Sequence, residues 1–317
     1  MPKLRIFFAT DLHASEKCYR KFLNAARVYE AEVLILGGDI TGKMVVPIVE
    51  GEGHWKARFM GVDTDIKSAK DVSDMQVSIK DAGYYPYLTN VKEMEELNAS
   101  PTAVKELFMK LMLEQVDRWV RLAEERLGSS KVKMFITGGN DDPMDIEPVL
   151  SSSKFVINPE NQTVDLGLGF QMVSSGYGNI TPWKCPRDVE EDVLLQKIED
   201  VIAKVGDPSR AVFNLHVPPY DSGLDFAPQL DADLKPVATP GMGLMMVPVG
   251  SKSVRTVIEK YQPMLGLHGH IHESRGSIKV GKTVCINPGS EYGEGILRGV
   301  IIDLNENGVK SFVLTTG

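Results

Sequence analysis

Three histidines, His268, His270 and His272, stand at alternating positions in the stretch LHGHIHES. Imidazole is the commonest transition-metal ligand, yet on a β-strand this spacing would equally put three rings on one face as a polar edge or as core histidines. Other residues of similar chemistry decide between the two. LRIFFAT runs into Asp11-Leu-His13, EVLILGG into Asp39, KVKMFITGG into Asn140-Asp141, AVFNL into His216 and PMLGLHG into His270-Ile-His272. Carboxylate, imidazole and amide oxygen make a mixed N/O donor set, suited to manganese, iron, zinc or nickel rather than to calcium or a thiolate site. Asp11, His13, Asp39, Asn140, His216, His270 and His272 are too many donors for one tetrahedral site and suit two ions sharing a carboxylate. Two such ions about 3.5–4 Å apart can clamp both the attacking and the leaving oxygen of an in-line displacement at phosphorus. The competing reading, a set of turn and capping residues, does not explain why type, order and strand-end placement agree.

The elements that must position these residues follow an α/β rhythm. LRIFFAT and EVLILGG are continuous apolar runs, as expected of strands buried on both faces, and the segment between them has its apolar residues at helical spacing. Ser100-Pro101 opens a long amphipathic helix ending near Gly128 and leading into KVKMFIT. Further strands are expected at GFQMVSS, AVFNLH and PMLGLH, with helices over about 188–204 and 253–260. In parallel α/β sheets ligands collect beyond the carboxyl ends of the strands, where these polar residues fall, and the glycines before Asp39 and Asn140 are expected to allow the sharp turns. After His272 the pattern changes to short strands at SIKV, KTVCI, GVIIDL and KSFVLT, read as antiparallel sheet.

Residues 42 to about 100 break the rhythm. MVVPIVEGEGHWKARFMG reads as a hairpin, followed by a polar helical stretch and the cluster Tyr84, Tyr85, Tyr87. The expectation is a single domain over 1–317 with 42–100 inserted as a cap, its tyrosines offered as substrate-binding residues. His54 is expected to be an exposed polar residue. Asp63 and Asp65 lack the glycine and glutamate of a calcium loop and read as solvated loop. Gly250-Ser251 reads as an ordinary helix entry, and the Met-rich GMGLMMVPVG as adaptable core or a pliable pocket wall.

The bulk numbers bound the partners. A net charge of −8 without a basic stripe disfavours general nucleic-acid or anionic-membrane binding. The three cysteines, Cys18, Cys185 and Cys285, have no CxxC spacing, and no apolar run approaches the length of a membrane span. A cytoplasmic, unanchored protein is expected.

DLH, GGD, GGNDD, NLHVPP and HGHIH, in that order and with NPGS at 287–290, resemble the calcineurin-like metallophosphoesterase superfamily, whose signature is D-x-H, G-D, G-N-H-D/E, a solitary H and G-H-x-H. HVPPYDSGLD and TPW look most like a little-characterised microbial branch of it. The resemblance implies a four-layer αββα metallophosphatase-type sandwich of two mixed β-sheets flanked by helices. It also implies a phosphomonoester or phosphodiester hydrolase, acting on a small substrate through a metal-bridging hydroxide. Carried over by position, Asp11, His13 and His272 would hold one ion and Asn140, His216 and His270 the other, with Asp39 bridging. Two divalent transition ions are the expected cofactors, manganese first and iron, zinc or nickel as alternatives. Asn140 and Asp141 are the catalytic candidates and His268 a hydrogen-bonding neighbour. The chain departs from the signature at Asp141, where the family has a histidine that helps the leaving group or holds the phosphate. A carboxylate there is expected to repel phosphate and to favour diesters or activated aryl esters. A non-catalytic binding module and a nuclease are the alternatives; the intact ligand set speaks against the first and the acidic balance against the second.

Overall fold

A computed structural model describes every residue of the chain except 1, 2, 240 and 242. Two six-stranded sheets form its centre. The first runs in the order Gly308–Thr316, Arg298–Asn305, Leu4–Ala9, Val33–Gly37, Lys133–Thr137, Val156–Ile157, and the second in the order Gly276–Val280, Thr283–Asn287, Leu265–Leu267, Val212–Leu215, Phe170–Ser175, Thr163–Gly167. In the second, a parallel centre has an antiparallel strand at each edge, whereas in the first the strands from Leu4–Ala9 to Val156–Ile157 are all parallel and the antiparallel hairpin lies at one edge only.

The period of two along each strand explains the layering. Ile6, Phe8, Val33, Ile35 and Phe135 point inward and meet Met172, Val212, Leu265 and Ile286 of the second sheet. Their neighbours Phe7, Leu34, Leu36, Met134 and Ile136 face outward under the helices Glu16–Val28 and Pro101–Leu127. Phe213 and Leu215 do the same under Glu191–Ile202 and Lys252–Tyr261. Because every central strand is covered twice, these strands are apolar throughout, and the result is the four-layer αββα sandwich.

The segment after His272 is not one antiparallel sheet. Its first hairpin, 276–287, completes the second sheet and pairs parallel with Leu265–Leu267, while its second, 298–316, completes the first by pairing antiparallel with Leu4–Ala9. Short strands with turn signals look alike in sequence whichever sheet receives them.

Residues 45–98 form a separate four-stranded sheet in the order Val62–Ile66, His54–Phe59, Val45–Gly51, Tyr85–Asn90, with helices Ala69–Asp81 and Val91–Asn98. Val46, Ile48, Ala57, Ile66, Val72 and Ile79 give it a small core of its own. The hairpin is present, but Asp63 and Asp65 lie on a third strand rather than in a loop, opposite Arg58 and Lys56. His54, partly exposed, is on the middle strand with Nε2 3.9 Å from Asp65. The Met-rich stretch, whose Met242 lies outside the described residues, leaves Leu244, Met245 and Met246 exposed and so is not core.

The helix Glu16–Val28 leaves the first strand-end loop directly, and Trp119 locks it to the long helix 101–127. The Trp119 ring stacks on Tyr19 at 4.0 Å, its Nε1 donates to Glu16 Oε2 at 2.9 Å, and the Tyr19 hydroxyl donates to the Trp119 carbonyl at 2.7 Å. Trp119→Ala is therefore expected to lower stability by about 3–5 kcal/mol, read as a fall in the urea midpoint at unchanged slope.

Candidate metal centre

The two strand-end loops of the first sheet run side by side. Asp11 N–H donates to Gly38 O, His13 N–H to Asp39 O and Ala14 N–H to Ile40 O, each at 2.9 Å. The fold holds Asp11, His13, Asp39 and His270 at positive φ, 54°, 40°, 48° and 65°, a region that costs a non-glycine residue of the order of 1–3 kcal/mol. Such strain persists only where surroundings over-determine it, and here one carboxylate does much of that. Asp142, fully buried, accepts from Gly139 N–H at 2.7 Å, Ile40 N–H at 2.9 Å, Thr41 N–H at 2.8 Å and the Thr41 hydroxyl at 2.6 Å. It ties the Asp39 loop to the Asn140 loop. Arg187, also fully buried, donates to the carbonyls of Asp142 and Pro143 and pairs with Glu147.

The second sheet contributes the remaining residues. Gly269 N–H donates to His216 O at 2.8 Å, and His270 N–H reaches both Asp11 oxygens at 3.1 and 3.0 Å. The Asn287 amide holds the loop from below through the carbonyls of Gly269 and Ile271. Close approach explains two glycines: a Cβ on Gly139 would collide with the Asp39 carboxylate, and one on Gly269 with that of Asp11. Gly38 needs its φ of +119°, but Gly139 is not at positive φ; space for Asp39, not turning, requires that glycine.

Six of the seven expected ligands gather in two groups, Asp11 with His13 and His272, and Asp39 with His216 and His270; the donor atoms of each group lie within 4.8 Å of one another. Asp39 stands between them, with Oδ1 3.4 Å from His216 Nε2 and Oδ2 3.7 Å from His13 Nε2. The ring nitrogens on the far side are engaged: His216 Nδ1 lies 3.0 Å from Gly37 O and His13 Nδ1 3.2 Å from Thr41 O, leaving each Nε2 for the centre. His13 Nε2 and His272 Nε2 face each other at 3.2 Å. Asn140 completes the set: its amide nitrogen donates to Asp188 Oδ1 at 3.0 Å, while its buried Oδ1 has no hydrogen-bond partner, and nor does His216 Nε2. An orphaned amide oxygen and an unpartnered ring nitrogen beside two buried carboxylates are what a cation site requires, so the residues fit divalent transition ions.

Electrostatics points the same way. Burial opposes charge on Asp11, yet His272 and His216 hold its carboxyl down at about 2. Burial likewise opposes charge on His216, but Asp39 and Asp11 outweigh it and raise the imidazole to about 10. Burial lowers His13 to about 4 and His270 in the same direction. The two carboxylates draw a proton onto the cluster because they lack sufficient positive charge from side chains.

His268 is fully buried, with Nδ1 2.8 Å from Leu215 O, and burial keeps it neutral by lowering it to about 4. Gly250-Ser251 is an ordinary helix entry: Ser251 caps Val254 N–H, and Glu191 occupies the amides of Lys252 and Ser253. The three tyrosines are dispersed. Tyr85 is buried and its hydroxyl accepts from Gly42 N–H at 2.7 Å, Tyr87 donates to Glu93 at 2.5 Å, and Tyr84 packs edge-on to Phe59. The hydroxyls of Tyr85 and Tyr87 thus have structural partners.

Asp141 is not the isolated charge expected. Its Oδ2 is 2.7 Å from Lys43 Nζ, and its Oδ1 accepts from Cys185 Sγ at 2.7 Å. Its amide donates to Asp39 Oδ1 at 3.0 Å, and its carboxylate groups with His13 and Asp39. Sequence reasoning missed Lys43, Asp142, Asp188 and Tyr292. Asp188 Oδ2 accepts from Thr181 and from Cys185 N–H, and Tyr292 lays its ring 4.6 Å from that of His13. The carboxylate that closes the signature G-N-H-D/E falls on Asp142 and was the available hint of it; the others come from contacts distant in the chain.

No protein-family profile matches the chain. A relative from Methanocaldococcus jannaschii, the uncharacterized protein MJ1162, is 28% identical over 163 residues, 50% of this chain and 65% of the relative, so the chain covers less than two thirds of that protein's length. One crystal structure superposes with a TM-score of 0.59 at 17% identity over 99% of both chains. That of TT1561 from Thermus thermophilus gives 0.54 at 12%, over 100% of this chain and 99% of that one. These likenesses are of fold, end to end. The chain has a four-layer αββα sandwich of two mixed sheets, and its motifs resemble in their order those of the calcineurin-like metallophosphoesterase superfamily.

Two outcomes follow from this geometry. His216 carries a proton up to about pH 10 and must lose it to donate Nε2. Against its burial, Asp11 raises His272 as well, so manganese affinity should rise with pH through neutrality, and titration calorimetry at pH 8 in buffers of different ionisation enthalpy should count at least one proton released; a count of zero contradicts the account. Asp142→Ala, which changes no ligand, should lower stability by at least about 3 kcal/mol by stranding buried amides and should reduce manganese capacity in elemental analysis.

Proposed function

We propose that this chain is a metal-dependent phosphoesterase with a dinuclear centre, hydrolysing a small phosphate ester. The observation that carries the reading is Asp39, whose two oxygens face His216 on one side and His13 on the other. One carboxylate addressing two donor groups is the arrangement that two ions sharing a ligand need. Asp11, His13 and His272 would hold one ion, and Asn140, His216 and His270 the other. Bound there, the ions supply an activated water and the positive charge that the phosphoryl oxygens meet. The chain's own contribution is orientation. Carbonyls fix the rings of His13 and His216, Asp188 turns Asn140 so that Oδ1 is free, and the strained loops hold Asp11, His13, Asp39 and His270 in place before any ligand arrives. Manganese is the ion we favour, on the N/O donor set.

We read residues 1–317 as one catalytic domain, with 42–100 inserted as a cap beside the centre. Gly83 packs against the His13 carbonyl and the Tyr292 ring, and Ser15 Oγ donates to Asp81 O at 2.6 Å, which supports that placement. Of the three tyrosines, Tyr84, next to Gly83, remains the candidate for substrate contact. The net charge of −8 favours a small ester over nucleic acid. No helix among the described residues is long and apolar enough to cross a membrane, and a cytoplasmic location is part of the same proposal.

Metal-stripped protein loaded with manganese is expected to bind two ions per chain and to hydrolyse p-nitrophenyl esters. Asp39→Asn should weaken both sites, whereas His272→Ala should mainly empty one. Elemental analysis that never exceeds one ion per chain rules out the dinuclear centre.

A further inference from the structure

The pair Lys43–Asp141 occupies the position at which the signature histidine is missing, and its chemistry differs from that of a carboxylate alone. Asp141 has both oxygens engaged by donors, Lys43 Nζ on one and Cys185 Sγ on the other, each at 2.7 Å. Lys43 offsets the charge of Asp141, and because the ammonium is the more exposed of the two, 50% against 23%, it is the charge that an incoming phosphate meets first. Lys43 meanwhile retains donors: an ammonium has three N–H groups, and the side chain is 50% exposed.

The backbone that leads to it is held. Thr41 is clamped by Asp142 through its amide and hydroxyl, and Gly42 N–H donates to the buried Tyr85 hydroxyl, so the residue that follows leaves the Asp39 loop in a fixed direction. Asp141 groups with His13 and Asp39, so an ammonium 2.7 Å from Asp141 Oδ2 stands at the solvent-facing rim of that cluster.

From this geometry we infer that Lys43 is the residue that anchors the substrate's phosphate, that Asp141 is a positioning residue which holds it, and that the preferred substrate class is the dianionic phosphomonoester. The inference deepens the phosphoesterase reading and rests on it for the presence of ions. It replaces the expectation of a diester preference, which treated Asp141 as an unpaired charge. A single cation attracts a dianion twice as strongly as a monoanion at the same distance. Loss of Lys43 should therefore weaken monoester binding by the square of the factor for a diester.

The test uses the full chain loaded with manganese, with metal content measured for every variant. Inorganic phosphate is titrated calorimetrically, and KM and kcat are measured for p-nitrophenyl phosphate and bis-p-nitrophenyl phosphate. Lys43→Met should raise the Kd for phosphate and the KM for the monoester about tenfold, and the KM for the diester about threefold, at unchanged metal content. Lys43→Arg should restore most of the loss. Asp141→Ala should raise monoester KM by less than Lys43→Met does, with kcat less affected than KM. Phosphate affinity within twofold of wild type in Lys43→Met, an equal loss on both esters, or no phosphate binding by the wild type overturns the inference. Lys43-dependent phosphate binding without hydrolysis of either ester would instead sustain Lys43 as the anchor and reject the enzyme assignment.

Discussion

A buried carboxylate must be surrounded by donors, and in this chain Asp142 obtains them from the backbones of two different strand-end loops. Gly139, Ile40 and Thr41 all direct amides at it, so the loop after the second strand and the loop before Asn140 cannot move independently. Asp39 and Asn140 are thereby fixed relative to one another, and through the backbone bonds between the first two loops so are Asp11 and His13. Burial and the nearby charge of Asp39 push the Asp142 carboxyl up, while Thr41, Arg187 and the Gly139 amide pull it down. The donors are what make a third carboxylate tolerable so close to two others.

Rigidity of this kind is what positive φ values at four polar residues require. A loop free to relax would return Asp11, His13, Asp39 and His270 to the commoner conformations and scatter their side chains. The glycines work with it by letting one loop lie close against another: Gly139 against the Asp39 carboxylate, Gly269 against that of Asp11 and Gly83 against the His13 carbonyl. The four-stranded sheet's segment thus reaches His13 at a point of backbone contact, through a glycine that admits no side chain, while the hydroxyls of Tyr85 and Tyr87 are spent on the chain itself.

The strand-end residues were legible in sequence because they couple two signals, an apolar run and a donor of a particular type immediately after it. The layers were legible for a related reason, since strands buried on both faces cannot alternate. Val62–Ile66 was not, because its burial leaves only Ile66 inside and the string VDTDI offers no apolar face to read. The two C-terminal hairpins were seen as strands, but the sheet each joins depends on partners far away in the chain. Lys43 shows the same limit within the site. Its identity was visible, while its pairing with Asp141 arises from the meeting of two loops 98 residues apart in sequence and changes the sign of what Asp141 alone would suggest.

The pairing of Leu4–Ala9 with Arg298–Asn305 has a bearing on synthesis. Leu4 lies opposite Leu304 and Phe8 opposite Val300, so one edge of Leu4–Ala9 waits until a partner almost 300 residues further along has been translated. Until then an apolar strand carries a row of unpaired amides and carbonyls, the kind of edge that invites pairing with another nascent chain. Pairing across so long a loop is also intrinsically slow. The parallel neighbour Val33–Gly37 is made early and can cover the other edge at once. Closure by the hairpin 298–316 is then the step that ends the period of exposure, and a ribosome stalled shortly before it would hold a sheet that is nearly complete and open on one side.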